Sequence, residues 1–282
     1  MQILRSVEEL KSSRNKIQGS VGFVPTMGYL HEGHLSLVRR AKAENDIAAV
    51  SIFVNPTQFL PHEDFQTYPR NEAQDLALLQ KESVDLVFLP EIKDIYAEGN
   101  CTFVNVEGIA DVLEGASRPG HFRGVATVVA KLFNLMEPTR AYFGQKDAQQ
   151  LAVIKRMVSD LYMPLKIVGC PTVRETDGLA LSSRNRYLSP QQRKDATCIY
   201  RSLKIAREMI EAGETNPKTI AVRMRKIISS AKSLTGIDYI SIVKADTLED
   251  IRIIKGRVLM AVAVRFGSTR LIDNLTVDCQ RR

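Results

Sequence analysis

The chain has 282 residues, of which 44% are hydrophobic and 25% are charged, so it can bury the cores of about two ordinary domains. No apolar run approaches the roughly 20 residues of a membrane-spanning helix, and the first ten residues lack the apolar core of a signal peptide. The four scattered cysteines favour reduced thiols in a cytoplasmic protein. The net charge of +7 is compatible with nucleic acid, but no run of five basic residues is present and Trp is absent. We therefore expect a phosphate-binding pocket, and neither a nucleic-acid nor a membrane partner.

Strand-like and helix-like segments alternate through the first two thirds of the chain. The strand candidates are residues 22–26, 47–55, 84–89, 102–106, 141–143 and 166–173. Helical patterns occupy residues 35–42, 71–83, 124–136 and 148–161, and the apolar stripe of 124–136 is the clearest of them. Such alternation is typical of a parallel sheet with helices on both faces, so the fold class is α/β. In such sheets, ligands bind beyond the carboxyl ends of the strands.

The pattern changes near Arg174, where a polar segment begins. Ser189-Pro190 and Asn216-Pro217 each combine an N-cap residue with a proline in the first turn, and each predicts the start of a helix. The first of these helices should run to residue 213. Strands follow at 238–244, 257–265 and 269–274, the last two forming a hairpin that turns at residues 267–268. We therefore predict two domains, residues 1–174 and a smaller α+β domain at 175–282.

Two histidines lie at the junction between the strand predicted at residues 22–26 and the helix predicted at residues 35–42. His31 and His34 flank Gly33, directly after an apolar run that ends in Gly28. A helix N-terminus offers unpaired N–H groups and a positive dipole end to a phosphate, and imidazoles can add hydrogen bonds to phosphate oxygens. A metal site is the alternative, but the chain has only four histidines and no H-x-x-x-H or C-x-x-C spacing. The motif alone leaves both explanations open.

Other polar segments occupy similar positions in the pattern. Asn55 and Gln58 place amides at a strand end, and residues 149–150 are a second amide pair, which suits a ligand rich in hydroxyls. Lys146 follows a strand and a glycine, and could offset phosphate charge. Residues 182–184 supply two hydroxyls and a guanidinium, a suitable clamp for a diphosphate. Each segment also has a purely structural explanation, as an ordinary amide, a capped helix or a polar linker, and none decides the matter alone.

Together, the segments resemble the pantoate–β-alanine ligase family. The resemblance rests on six motifs in order between about residues 21 and 190, namely Pro25-Thr26-Met27-Gly28 with His31-Glu32-Gly33-His34, Phe53-Val54-Asn55-Pro56-Thr57-Gln58-Phe59, Gly120-His121-Phe122-Arg123-Gly124-Val125, Tyr142-Phe143-Gly144-Gln145-Lys146-Asp147, Gln149-Gln150, and Ser182-Ser183-Arg184-Asn185. The family belongs to the H-x-G-H nucleotidyltransferases, which are related to class I aminoacyl-tRNA synthetases. The last third of the chain adds only a compatible pattern.

The resemblance implies a Rossmann-type N-terminal domain, a smaller C-terminal lid and a homodimer. It implies that (R)-pantoate and β-alanine are condensed using ATP and Mg²⁺, through a pantoyl adenylate, with release of AMP and diphosphate. The implied catalytic residues are His34, His31 and Lys146. The implied ATP-binding residues are Met27, Gly28, Tyr29, Leu30, His31, Glu32, Gly33, His34, Gly144, Gln145, Lys146, Asp147, Val173, Leu181, Ser182, Ser183 and Arg184. Gln58, Gln150 and Asn55 are the implied substrate-binding residues, and the metal ligands are unknown.

Two positions depart from the commonest form of the family motifs. Tyr29 stands where a small residue is frequent, and Leu181 stands where Met is usual. Both could reshape the walls of the ATP pocket, but neither removes a polar group. Two other functions remain to be weighed: a nucleotidyltransferase with a phosphorylated acceptor, which the neutral amides at residues 55–58 and 149–150 disfavour, and a non-enzymatic RNA- or nucleotide-binding module.

Overall fold

The structure is a computed structural model that describes residues 1–279. Main-chain contacts divide the chain into two compact units. The first comprises Met1–Gln145 and Gln150–Pro171, and the second comprises Lys146–Gln149 and the chain from Thr172 onward. Among the helices of residues 1–279, each is too short or too polar to cross a membrane.

Within residues 1–279, the first unit carries a six-stranded sheet in which every pairing is parallel. Its strands are β1 (Gln2–Leu4), β2 (Val21–Thr26), β3 (Ile47–Ile52), β4 (Leu86–Phe88), β5 (Arg140–Gly144) and β6 (Lys166–Cys170). Their order across the sheet is β1-β4-β3-β2-β5-β6. From β2 the chain adds β3 and β4 on one side, and β5 and β6 are added on the other side of β2. The order of strand addition therefore reverses between β2 and β5, and open α/β sheets bind ligands at such a switch point.

Helices follow the strands of this unit. They are α1 (Val7–Arg14), α2 (Glu32–Glu44), α3 (Glu72–Lys81), α4 (Ile92–Ile95), α5 (Glu114–Ser117), α6 (His121–Met136) and α7 (Ala148–Asp160). The central strands β2 and β3 are almost entirely buried, as expected for strands covered on both faces. The apolar stripe predicted for residues 124–136 is confirmed, since Val125, Val129, Leu132 and Met136 of α6 are each at most 5% exposed. The α/β class is confirmed.

The second unit contains an antiparallel sheet of order β7-β8-β9, made of Leu234–Lys244, Gly256–Phe266 and Thr269–Cys279. Helices α8 (Pro190–Asp195), α9 (Cys198–Glu211) and α10 (Pro217–Ile228) precede it. Ile199, Leu203 and Ile220 of the helices share one apolar cluster with β8 and β9. The predicted hairpin turn at residues 267–268 is confirmed, because Phe266 pairs with Thr269.

Several boundaries differ from the predicted ones. The strand predicted at residues 102–106 is wrong. This segment contacts side chains of α6 instead: Val104 donates its N–H to the Thr127 hydroxyl, and Phe103 lies against the Arg123 guanidinium. The single helix predicted from residue 190 to 213 is divided between α8 and α9. Strand β1 was not predicted, because its three residues are too few to show an alternating apolar pattern. Helix α1 begins with a capping box of Ser6 and Glu9, a signal that was present in the sequence.

Candidate active site

The turn after β2 holds the predicted nucleotide-binding segment in an unusual conformation. Gly28 and Tyr29 have φ angles of 79° and 51°, in the left-handed region. A side chain at Gly28 would lie 2.8 Å from Ile52, so only glycine fits. Tyr29 has no such freedom, and its left-handed conformation must be stabilised by its neighbours.

A buried carboxylate stabilises that turn. Asp75, on α3, accepts hydrogen bonds from the N–H groups of Tyr29 at 2.8 Å and Leu30 at 2.7 Å. Burial raises the pKa of Asp75, and the two N–H donors oppose that rise. Asp75 could not be predicted from the sequence, because its partners are main-chain groups 45 and 46 residues away.

The two histidines cap α2 through their ring nitrogens. The N–H of Gly33 donates to Nδ1 of His31 at 3.1 Å, and the N–H of His31 donates to Nδ1 of His34 at 3.3 Å. The ring centroids are 4.1 Å apart. Because Nδ1 is the acceptor in both rings, each neutral imidazole carries its proton on Nε2. The main chain thus prepares two Nε2–H donors at a helix N-terminus, an arrangement suited to phosphate oxygens.

Glu32, which follows His31 on α2, interacts with a different group. Its carboxylate pairs with Arg39 on the exposed side of the helix. Hydrogen bonding to that guanidinium lowers the pKa of Glu32. The role of Glu32 in ATP binding stays a prediction.

The amide segment after β3 is brought against the nucleotide-binding turn. Gln58 is 9% exposed, and its Nε2 lies 3.2 Å from the sulfur of Met27. Asn55 donates from Nδ2 to Oε1 of Gln58 at 3.0 Å and to the carbonyl of Gly124 at 3.2 Å. The Asn55 carbonyl in turn accepts the hydroxyl of Tyr96 at 2.8 Å. The amides at residues 55–58 are therefore fixed in place, beside residues predicted to bind ATP.

A polar cluster behind Gln58 holds its main chain. His121 is 8% exposed, and its Nδ1 lies 2.8 Å from the Gln58 carbonyl oxygen, so Nδ1 carries the proton. Its Nε2 then accepts from Arg118 Nη1 at 3.0 Å. Arg118 also forms a two-pronged ion pair with Glu63 at 2.5 and 2.6 Å. Burial and the Arg118 charge lower the pKa of His121 to about 4, so the ring stays neutral near pH 7.

Arg118 and His121 belong to a glycine-rich basic segment whose sequence is compatible with binding anions or with simply turning the chain. Their contacts show that they support Gln58 from behind. The Gly120–Val125 motif was the available signal, but the paired residue Glu63 lies 55 positions from Arg118.

In the second unit, predicted ATP-binding residues occupy the ends of one loop. Leu181 donates its N–H to the carbonyl of Val173 at 3.0 Å, which closes the loop. Ser182 then caps the 3₁₀ turn Ser183–Tyr187 by accepting the N–H of Arg184 at 3.3 Å.

The segment after β5 contains the predicted ATP-binding residues 144–147 and the amide pair of residues 149–150. Gly144 ends the strand and pairs with Cys170. Gln145–Asp147 forms a 3₁₀ turn in which the Lys146 ammonium lies 3.6 Å from the Asp147 carboxylate. Of the amide pair at the start of α7, Gln149 is buried and Gln150 is half-buried. Their roles toward substrate stay predictions.

The described residues 1–279 contain no group of three or more His, Cys, Asp or Glu side chains arranged to hold a metal ion.

Comparison with known proteins decides the family. The model of the pantoate-beta-alanine ligase family matches residues 2–276. The chain belongs to the pantoate–β-alanine ligase family. Its relatives include the pantothenate synthetase of Acetivibrio thermocellus, 56% identical over 99% of this chain and all of that protein, and the one from Roseiflexus sp. RS-1, 54% identical over 99% and 100%.

Solved structures of pantoate–β-alanine ligases share the fold. The pantothenate synthetase of Thermus thermophilus is 49% identical, with a TM-score of 0.93 over 98% of this chain and 99% of that one. The ligase of Francisella tularensis, described as complexed with beta-gamma ATP and beta-alanine, is 39% identical, with a TM-score of 0.81 over 98% and 97% of the two chains. The resemblance drawn from the six motifs is confirmed, as is the activity it implied: a ligase that forms the amide bond of pantothenate.

Proposed function

We propose that this pantoate–β-alanine ligase works in two steps at the expense of ATP. In the first step, the pantoate carboxylate attacks the α-phosphorus of ATP, forming pantoyl adenylate and releasing diphosphate. In the second step, the β-alanine amine, having lost its ammonium proton, attacks the acyl carbon, and AMP leaves with the electron pair of the broken C–O bond. Activation is necessary because an unactivated carboxylate would have to expel oxide. No protein nucleophile takes part.

The observation that carries this proposal is the capping arrangement of His31 and His34. Two Nε2–H donors at the N-terminus of α2 can hydrogen-bond phosphate oxygens as negative charge develops on them. The Francisella tularensis relative, described with an ATP compound and β-alanine, supports ATP as the substrate here. Mg²⁺ would arrive as MgATP, with phosphate oxygens and water among its ligands.

The neutral environment of Gln58 supports a role in holding pantoate. Its amide lies beside Met27 and is fixed by Asn55, so it offers hydrogen bonds without demanding a charged partner. We assign Gln150 to the hydroxyls of pantoate, and Lys146, with the loop of Val173, Leu181 and residues 182–184, to ATP. The family match supports the ligase over a nucleotidyltransferase with a phosphorylated acceptor and over an RNA- or nucleotide-binding module.

The test is to incubate the protein with MgATP, (R)-pantoate and β-alanine, and to measure diphosphate and AMP separately. AMP release should require both acids, and diphosphate release should require pantoate alone. His34→Ala should slow diphosphate release by about 10²–10³-fold, the usual effect of losing one transition-state donor. His62→Ala is the control, because His62 is exposed. Normal diphosphate release by His34→Ala would remove His34 from the mechanism.

Lys146→Ala provides a separate test of the ATP assignment. It should slow diphosphate release, whereas the reaction of preformed pantoyl adenylate with β-alanine should proceed as in the unaltered protein. Slowing of the second step alone would show that the assignment is wrong.

We also propose that the chain acts as a cytoplasmic homodimer. Light scattering should then give twice the 31.6 kDa mass of the chain. A mass of one chain at working concentrations would contradict this.

A further inference from the structure

Asn274, in strand β9, is bonded to the turn that carries Lys146. Its side-chain Nδ2 donates to the carbonyl oxygen of Lys146 at 2.8 Å, and Asn274 is only 8% exposed. Both residues belong to the second unit. Because the accepting carbonyl lies within the 3₁₀ turn Gln145–Asp147, this bond fixes the main chain from which the Lys146 side chain extends. A carbonyl deprived of a buried donor costs free energy, so the bond constrains the turn.

Asp273, the residue before Asn274 in β9, connects this strand to Arg174. It is 4% exposed and receives two hydrogen bonds from Arg174, at 2.6 and 2.9 Å. It also accepts the main-chain N–H of Asn274 at 2.8 Å. Burial raises the pKa of Asp273, and the Arg174 guanidinium opposes that rise. The carboxylate therefore has charged and neutral donors that fix both the strand and Arg174.

Arg174 connects this pair to the loop that carries other predicted ATP-binding residues. Its guanidinium stacks 4.0 Å from the ring centroid of Tyr200 and donates to the carbonyl of Gly178 at 3.1 Å. The loop that contains Arg174 is closed by the bond from Leu181 to Val173 and leads directly into residues 182–184. Arg174 is thus held by Asp273, Tyr200 and the Gly178 carbonyl, and these contacts also fix the loop from Val173 to Leu181.

We infer that Asp273 and Asn274 are positioning residues for the ATP step. Asn274 acts through the turn of Lys146, and Asp273 acts through Arg174 and the loop from Val173 to Leu181. This inference rests on the proposed roles of Lys146 and of that loop toward ATP. It gives a function to a part of the chain in which no motif pointed to the site.

The first experiment compares Asn274→Ala with Val277→Ala. Val277 lies on the same strand and packs in the apolar cluster of the second unit, so its truncation is a stability control. Asn274→Ala should lower kcat/KM for ATP in diphosphate release about tenfold, the effect of roughly one hydrogen bond. The KM for pantoate should change less than twofold. Val277→Ala should lower the melting temperature and leave both constants unchanged.

The second experiment is a double-mutant cycle of Asn274→Ala with Lys146→Ala. If Asn274 acts through Lys146, its removal should have little further effect once the lysine side chain is gone. Additive losses in the cycle, or an unchanged kcat/KM for ATP in Asn274→Ala, would overturn the inference. If Asn274→Ala does not fold, Asn274→Asp keeps the shape, removes the Nδ2 donor and should give the same loss.

Hydrogen exchange separates failure of this inference from failure of the proposed function. Peptides covering residues 145–150 should exchange faster in Asn274→Ala than in Val277→Ala, whatever the reaction catalysed. Equal exchange in the two variants would contradict the positioning role. Absence of pantoate-dependent diphosphate release by the unaltered protein would instead contradict the proposed function.

Discussion

At the residue scale, His121 shows how one side chain combines burial with a defined tautomer. Arg118, Glu63 and Glu114 are the charged groups that act on its ring. Because Nε2 faces the Arg118 guanidinium and accepts from it, protonation would bring two positive groups together. The pKa of His121 is therefore about 4 in the folded protein, against an ordinary value of 6.5. The Arg118 guanidinium thus keeps its Nε2 acceptor down to about pH 4, whereas the Nδ1–H donor to the Gln58 carbonyl is present in both forms of the ring.

We expect His121 to destabilise the folded protein as pH falls. Between pH 6.5 and about 4, the unfolded chain binds a proton at His121 that the folded chain does not. The free energy of unfolding therefore decreases as the pH falls through this range. The loss should total about 3 kcal/mol over this range. His121→Asn removes this term, so its destabilisation relative to wild type should be largest at pH 7 and shrink toward pH 4. Urea unfolding at several pH values measures it.

The control for this experiment is His62→Asn, since the His62 side chain is exposed. It should leave the unfolding free energy close to wild type at each pH. A destabilisation by His121→Asn that does not vary between pH 7 and 4 would show that the ring is not held neutral.

Substitution of Asp75 should also destabilise the folded protein, because Asp75 accepts two main-chain hydrogen bonds. Asp75→Asn keeps the shape but replaces one acceptor oxygen by an NH₂ group facing a main-chain N–H of the Tyr29–Leu30 turn. We expect a loss of about 1–3 kcal/mol in unfolding free energy and a lower kcat/KM for ATP. Glu72→Gln, on the same helix but in an exposed ion pair with Arg5, is the control and should stay within about 0.5 kcal/mol. Equal effects of the two substitutions would contradict the role of Asp75.

At the element scale, α6 approaches the Asn55–Gln58 segment so closely that a glycine is required. A side chain at Gly124 would lie 2.4 Å from the carbonyl oxygen of Thr57 and 2.8 Å from the N–H nitrogen of Gln58. Both contacts are with main chain, which cannot swing aside. The helix and the 3₁₀ turn Pro56–Gln58 therefore form one rigid support for the Gln58 amide.

Gly124→Ala should consequently destabilise the protein, although alanine is the better helix former. The overpacking should exceed the roughly 1 kcal/mol of helix propensity, and cost about 1–3 kcal/mol in unfolding free energy. The KM for pantoate should rise because Gln58 moves. Gly236→Ala is the control, since its nearest neighbour would be Arg265 at 3.7 Å. A stabilised Gly124→Ala variant would show that α6 can shift without cost.

How much could be predicted from the sequence depended on the range of the interaction. The stripe of α6 and the hairpin turn at Gly267 follow from local periodicity and turn chemistry, and both were predicted. Asn55 and Gln58 were predicted as substrate-binding amides from their place at a strand end; the structure buries both side chains, and their role toward substrate stays a prediction. The bonds of Asp75 and Asp273 could not be predicted, because each joins residues that are distant in sequence and meet only in the folded chain.

At the scale of the whole molecule, each unit has its own apolar core. Leu79 and Val50 belong to the cluster of the first unit, and Leu203 and Ile220 to that of the second. Proteins with several units often unfold in more than one step. Each core should therefore respond chiefly to truncations made within it.

We expect Leu203→Ala to lose about 2–5 kcal/mol, as for other fully buried leucines. The loss of protection in native-state hydrogen exchange should concentrate in the second unit. Leu79→Ala, also fully buried, should act in the first unit instead. Uniform loss of protection across the chain in both variants would show that the units unfold as one.

The bond from Asn274 to Lys146 has a consequence for synthesis of the protein on the ribosome. These residues are 128 positions apart in the chain. Translation delivers the lysine long before its asparagine partner, so a nascent chain can complete the sheet of the first unit while the lysine turn still lacks its anchor. The ability to consume ATP should therefore appear late in translation, after the strand that contains Asn274 has emerged.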